Sequence, residues 1–160
     1  MRRRCVVVPV LTLLAMATVV GCGDDDDQVV STTTTSQPAA SSQNACPVEG
    51  CEITITDVQP EGDELRLSWD ANFGPDFSKN HVHVFWDTYT ADEVTNDAAA
   101  RGETQGEWVP TGDHPEFVTE GPVSTGARAE STTICVTAGD RDHNVIDSSI
   151  VDCRDVADLL

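Results

Sequence analysis

The residues of this chain whose type and spacing most plainly carry chemistry are His81 and His83, set two apart in the run His81-Val82-His83-Val84-Phe85-Trp86-Asp87. On a β-strand, side chains two apart share a face roughly 7 Å from one another. Two imidazoles so placed suit one Cu or Zn ion, provided a third donor arrives from elsewhere in the fold. The same residues also fit two other descriptions: solvated histidines beside Phe85, or a patch that docks a partner.

Other candidates are weaker. Asp140-x-Asp142-x-Asn144 resembles the start of a calcium loop. Val145 stands where the sharp turn needs glycine, however, and Val151 where a closing glutamate is expected, so a plain hairpin turn is the better reading. Asp113-His114-Pro115 reads as loop chemistry. No G-x-S-x-G is present, and with 28 acidic residues some carboxylate pairs arise by chance, so no catalytic residue is assigned and no enzyme is expected.

The elements that must position the histidines are short strands. Cys51-Glu52-Ile53-Thr54-Ile55-Thr56-Asp57-Val58 alternates with period two, Pro60 to Asp63 is turn chemistry, and Leu65-Arg66-Leu67-Ser68-Trp69 alternates again. The strand bearing the histidines should turn Val82, Val84 and Trp86 inward. A capping-box pattern at Thr90-Ala91-Asp92-Glu93, then Ala98-Ala99-Ala100 and Gly102, predicts the one short helix. Further strands are expected at 106–109, 116–119, 122–125, 132–138 and 147–153, with a turn from Asp140 to Asn144. Such a series, with almost no helix, predicts an all-β sandwich over residues 46–160.

The first 45 residues read differently. Arg2, Arg3 and Arg4 precede an apolar run that ends in small residues and is short for a membrane span, so 1–21 reads as a signal peptide. Val19-Val20-Gly21-Cys22 resembles the lipobox of bacterial lipoprotein precursors. That resemblance implies cleavage before Cys22, a diacylglyceryl thioether on its sulfur, and attachment to the outer face of the cytoplasmic membrane. An ordinary signal peptide with an incidental cysteine is the alternative. Residues 22–45, with Asp24 to Asp27 and a Ser/Thr-rich run, have no apolar periodicity and should form a disordered tether.

The formal charge is −19; once Arg2, Arg3 and Arg4 leave with the signal, six basic residues face 28 acids, a net −22. Such a surface repels phosphate backbones and anionic headgroups, which excludes nucleic acid as a partner and leaves covalent lipid as the membrane attachment. Solubility accounts for the acidity, and attraction of cations or basic partners is the alternative. Apart from Cys5 and Cys22, the cysteines are Cys46, Cys51, Cys135 and Cys153, an even set suited to two disulfides in an oxidising compartment. No C-x-x-C spacing favours a zinc thiolate site.

Leu65-x-Leu67-x-Trp69, Val82-x-Val84-x-Trp86 and Ile134-x-Val136-x-Ala138 resemble the second, third and sixth strands of fibronectin type III and immunoglobulin-like domains. The resemblance implies a sandwich of about seven strands. It departs from the family in lacking the tyrosine ahead of the sixth strand and in the long segment from Thr90 to Gly106. The chain as a whole also resembles lipoproteins of high-GC Gram-positive bacteria, which implies an envelope address and no activity.

Within the resembled fold the last two strands pair, which implies a Cys135–Cys153 bridge on the outer face and a local Cys46–Cys51 bridge. A bridge from Cys51 to the late strands is the rival. The third and sixth strands are neighbours there, so His143, at the turn beyond the sixth, becomes a candidate third metal ligand beside His81 and His83. The outer face carrying His81, His83, Phe85 and Asp87 is the expected contact surface of a binding module for an envelope protein or a cell-wall partner. A Cu/Zn-binding protein is the alternative function.

Overall fold

A computed structural model describes residues 46, 47 and 49–160. The signal peptide 1–21, the lipidation of Cys22 and the tether 22–45 lie outside the described residues. Seven strands run in chain order: β1 (Ile53–Glu61), β2 (Glu64–Ala71), β3 (Asn80–Trp86), β4 (Val109–Thr111), β5 (Glu116–Val118), β6 (Thr133–Asp140) and β7 (Val151–Asp155), with a single short helix α1 (Ala98–Arg101) between β3 and β4. They form two antiparallel sheets, β1-β2-β5 and β4-β3-β6-β7. The protein is an all-β sandwich. Among the described residues no helix is long and apolar enough to cross a membrane.

Period-two alternation builds the core. Leu65, Leu67 and Trp69 of β2 meet Val82, Val84 and Trp86 of β3 and Ile134, Val136 and Ala138 of β6, all buried in one cluster. Fully burying a valine, leucine or isoleucine side chain is worth about 1.5–3 kcal/mol, and burial of this kind is the main term holding the sheets together. The edge strand β1 carries a register irregularity between Ile55 and Asp57. There the Ile55 N–H donates to Asp152 Oδ2 (2.7 Å) and the Ile55 carbonyl accepts from Arg154 (2.7 Å). Side chains of β7 thus occupy an edge that would otherwise be open for pairing.

Several boundaries differ from the sequence reading. Residues 122–125 are not a strand but two short 3-10 turns, Gly121–Val123 and Thr125–Ala127, because Pro122 has no N–H for a ladder and Gly121 adopts φ 52°. The strand expected at 106–109 forms instead as β4, starting at Val109. Gly106 presses on the Tyr89 ring, where a Cβ would come within 2.9 Å. The strand expected at 147–153 is β7, beginning at Val151, since Asp147 Oδ1 accepts from the Ser149 N–H and hydroxyl and closes a turn first. Thr90 and Glu93 make one half of a capping box: Glu93 Oε2 accepts from the Thr90 N–H (2.7 Å) and from the Thr90 hydroxyl (2.9 Å), while the Glu93 N–H bonds to the Thr90 carbonyl. The helix itself waits until Ala98 and stops at Gly102, which is left-handed at φ 86°.

Two disulfides join Cys46 to Cys51 and Cys135 to Cys153. The second links directly opposed residues of β6 and β7. The first closes the start of the domain against Asn80, whose side-chain amide lies 3.0 Å from Cys46 Sγ and 3.3 Å from Cys51 Sγ.

Candidate metal centre

Every residue of β3 is buried, although alternation directs only half of them into the sandwich. The other half lies under a second layer. Phe85 and Cys135 pack with Ala91, Val94 and Val145, and with half-buried Tyr89 and Trp108, in a separate apolar cluster. The segment between β3 and β4 folds back across the outer face of the sheet. The face bearing His81, His83, Phe85 and Asp87 is therefore not an open contact surface: His81, His83 and Phe85 are covered, and only Asp87 is exposed, accepting a hydrogen bond from the Ser131 hydroxyl. The sequence reading lacked this lid because its packing depends on residues from three separate stretches of chain.

Beneath the lid, His83 is held on three sides. Its Nδ1 lies 2.7 Å from the Val94 carbonyl, which can only accept, so Nδ1 carries the proton and Nε2 presents a lone pair. The Trp108 ring stacks on the imidazole at 3.9 Å and 19°. Below lies Gly139 of β6; a Cβ there would collide with the His83 ring. Glycine inside a strand often marks such a close approach.

His81 and His143 complete the cluster. The registers pair His81 with Gly139 and His83 with Thr137, placing both rings over β6. His143 arrives from the turn after β6. Asp140 Oδ1 builds that turn by accepting from the Asp142 and Asn144 N–H groups, both at 2.8 Å. Those bonds make 140–144 an Asx-type turn, as its composition suggested. His143 is left-handed there, at φ 62°. The lid fixes the turn from above: the Asn96 N–H donates to the His143 carbonyl (2.9 Å), the Asn96 side chain to the Asp142 carbonyl (2.8 Å), and the Val145 N–H to Thr95 Oγ1 (2.9 Å).

The three donor nitrogens lie within 4.8 Å of one another. His81 Nε2 is the shared vertex, 3.0 Å from His83 Nε2 and 2.9 Å from His143 Nδ1. One ring nitrogen carries either one proton or one lone pair. It can make a good hydrogen bond to one neighbour, while the other shares that proton poorly or faces like with like. The second nitrogen of His81, Nδ1, is buried without a hydrogen-bond partner. A cation among three lone pairs satisfies all three donors at once, so these residues fit a Cu or Zn ion. Fixing the far nitrogen of a ligand on a carbonyl, as Val94 does for His83, is the common way of orienting metal-binding imidazoles.

The electrostatics agree. Burial pushes the His83 pKa down to about 3, with the neighbouring His81 adding to the effect and the bond to Val94 opposing it. Burial likewise lowers His81 to about 4, helped by His143 and opposed by Asp140. Both rings are neutral at physiological pH and need shed no proton to bind a metal.

His114 lies in the link from β4 to β5 and is not part of the cluster. The residues that sequence reasoning missed are Trp108, Val94, Gly139, Thr95 and Phe77, whose ring sits 5.2 Å from His81 and 6.3 Å from His143 at the rim. Of these only Gly139, a glycine closing an alternating strand, left a trace in the sequence. The chain matches no family model, no curated protein and no solved structure with which it was compared.

Proposed function

We propose that the protein is a lipid-anchored, extracytoplasmic metal-binding protein that takes one Cu or Zn ion on His81, His83 and His143. The convergence of three imidazole nitrogens, with His83 oriented by the Val94 carbonyl, carries this reading. Three neutral ligands leave the charge of the ion uncompensated within the site. The acidic chain around it, at −22 once Arg2, Arg3 and Arg4 are gone, attracts cations towards the site and offsets that charge at longer range. The lipobox-like Val19-Val20-Gly21-Cys22 supports attachment at the outer face of the membrane through Cys22, and the immunoglobulin-like alternation supports a rigid carrier for the site.

The rival reading, a binding module that docks an envelope protein or a cell-wall partner on the outer face of β3, is weaker because His81, His83 and Phe85 are covered. Calorimetric titration of the mature chain without its lipid, residues 23–160, separates the two. One-to-one binding of Cu2+ or Zn2+ is expected. A His81→Ala/His83→Ala double variant should weaken it by more than the roughly 10–100-fold that loss of a single outer-shell partner costs. Absence of binding, or binding unchanged in the variant, refutes the proposal.

A further inference from the structure

Resting on the metal-binding reading, we infer that the three-histidine centre is built for a tetragonal Cu(II) ion and leaves one corner of its coordination square, the one opposite His81, for an exchangeable small ligand. The shape of the donor triangle points there. A tetrahedral ion with bonds of about 2.0–2.1 Å needs three nearly equal N···N edges of about 3.3–3.4 Å. Three corners of a square need two edges of about 2.9 Å meeting at the middle ligand and a third of about 4 Å. The observed edges at His81 are 2.9 and 3.0 Å. The ring centres open in the same sense: 4.6 and 4.9 Å from His81 to its two neighbours, but 6.3 Å between His83 and His143. A square fits with little movement of the two short edges, whereas a tetrahedron must stretch both.

The donor chemistry sharpens the choice. Imidazole suits Cu(II), Zn and Ni, whereas Cu(I) favours thiolate and thioether ligands. Cys46, Cys51, Cys135 and Cys153 are all in disulfides, and both methionines, Met1 and Met16, fall within the first 21 residues. No fourth His, Cys, Asp or Glu joins the cluster among the described residues. The fourth corner therefore falls to water or to a small donor from outside the protein. Affinity for Cu(II) above other divalent ions would follow from the general order of the series, so preference alone does not test the idea. Coordination geometry does.

The test is spectroscopic and uses the mature chain without its lipid. With one equivalent of Cu(II), an axial paramagnetic resonance spectrum with three nitrogen couplings is expected, falling to two in His143→Ala. Added azide should shift that spectrum by entering the open corner. Co(II), loaded in parallel into the unaltered chain, should show only weak visible bands. Intense tetrahedral Co(II) bands, or a Cu(II) spectrum indifferent to azide, overturn the inference while leaving metal binding intact. A spectrum of free aqueous Cu(II) overturns the metal-binding reading as well. The Co(II) and azide measurements need no variant, so a folding defect in His143→Ala does not blunt the test.

Discussion

At the scale of single residues, the site depends on a hydrogen atom in place of a side chain. Gly139 lies under the His83 ring, and any Cβ there meets the ring directly. Gly139→Ala is expected to displace His83, weaken metal binding at least tenfold and cost about 1–3 kcal/mol of stability, the usual range for overpacking. Titration beside urea denaturation checks both parts. The same rings shape the acid response of the metal-free protein. His81 and His83, at about 4 and about 3 when folded, lie below the ordinary value of 6.5. Below pH 6.5 the unfolded chain takes up protons that the folded rings refuse, so their contribution to stability is full above pH 6.5 and is lost as the pH falls towards 4 and then 3. The carboxylates held low by local bonds, Asp76, Asp97 and Asp147, act in the same direction but only near and below their ordinary value of 3.8. Denaturation between pH 6.5 and 4.5 should therefore show a falling stability whose slope is reduced in a His81→Gln/His83→Gln variant. An unchanged slope would mean the rings are not desolvated as described.

At the scale of elements, the segment between β3 and β4 is what converts two strand histidines into a centre. It supplies the Val94 carbonyl, the Trp108 stack, and the Thr95 and Asn96 contacts that hold the turn bearing His143. Thr95 is wholly buried and its hydroxyl oxygen accepts the Val145 N–H. Thr95→Val keeps the shape but orphans that donor, at a cost of about 1–3 kcal/mol. The expected result is a lower denaturation midpoint and weaker metal binding, with the β-sheet circular dichroism unchanged. Metal affinity equal to the unaltered protein would show that the turn holds His143 without the lid.

At the scale of the whole molecule, the sandwich is stapled where its outer layer begins. Cys135 belongs to the same apolar cluster as Phe85 and Val94, and its bridge to Cys153 spans a separation of 18 residues. Removing it as Cys135→Ala/Cys153→Ala should cost about 2–4 kcal/mol. The resulting fall in thermal midpoint is readable by calorimetry. Non-reducing peptide mapping should return Cys46–Cys51 and Cys135–Cys153 peptides, and a Cys51–Cys135 peptide would contradict the fold. The strong negative charge adds self-repulsion, which the disulfides and the core offset.

What the sequence determined by itself follows from period-two alternation, a property local to a few residues. It assigned Val82, Val84 and Trp86 to the core and His81, His83 and Phe85 to the opposite face, and it placed most strands within a few positions of where they lie. Turn composition did the same for residues 140–144, where Asp140 bonds only to its near neighbours. Boundaries slipped where a longer-range contact or a backbone constraint competed, as at Gly106 against Tyr89 and at Gly121-Pro122. The tertiary structure alone decided that the histidine face is roofed rather than open, that His143 meets His81 at 2.9 Å, and that Val94 and Trp108 fix His83. Those contacts join residues far apart in the chain whose individual types carry no mark of one another. They arise only when the segment between β3 and β4 folds back over the outer face, burying its own Ala91, Val94 and Trp108 against Phe85 and Cys135 and enclosing the histidines with them.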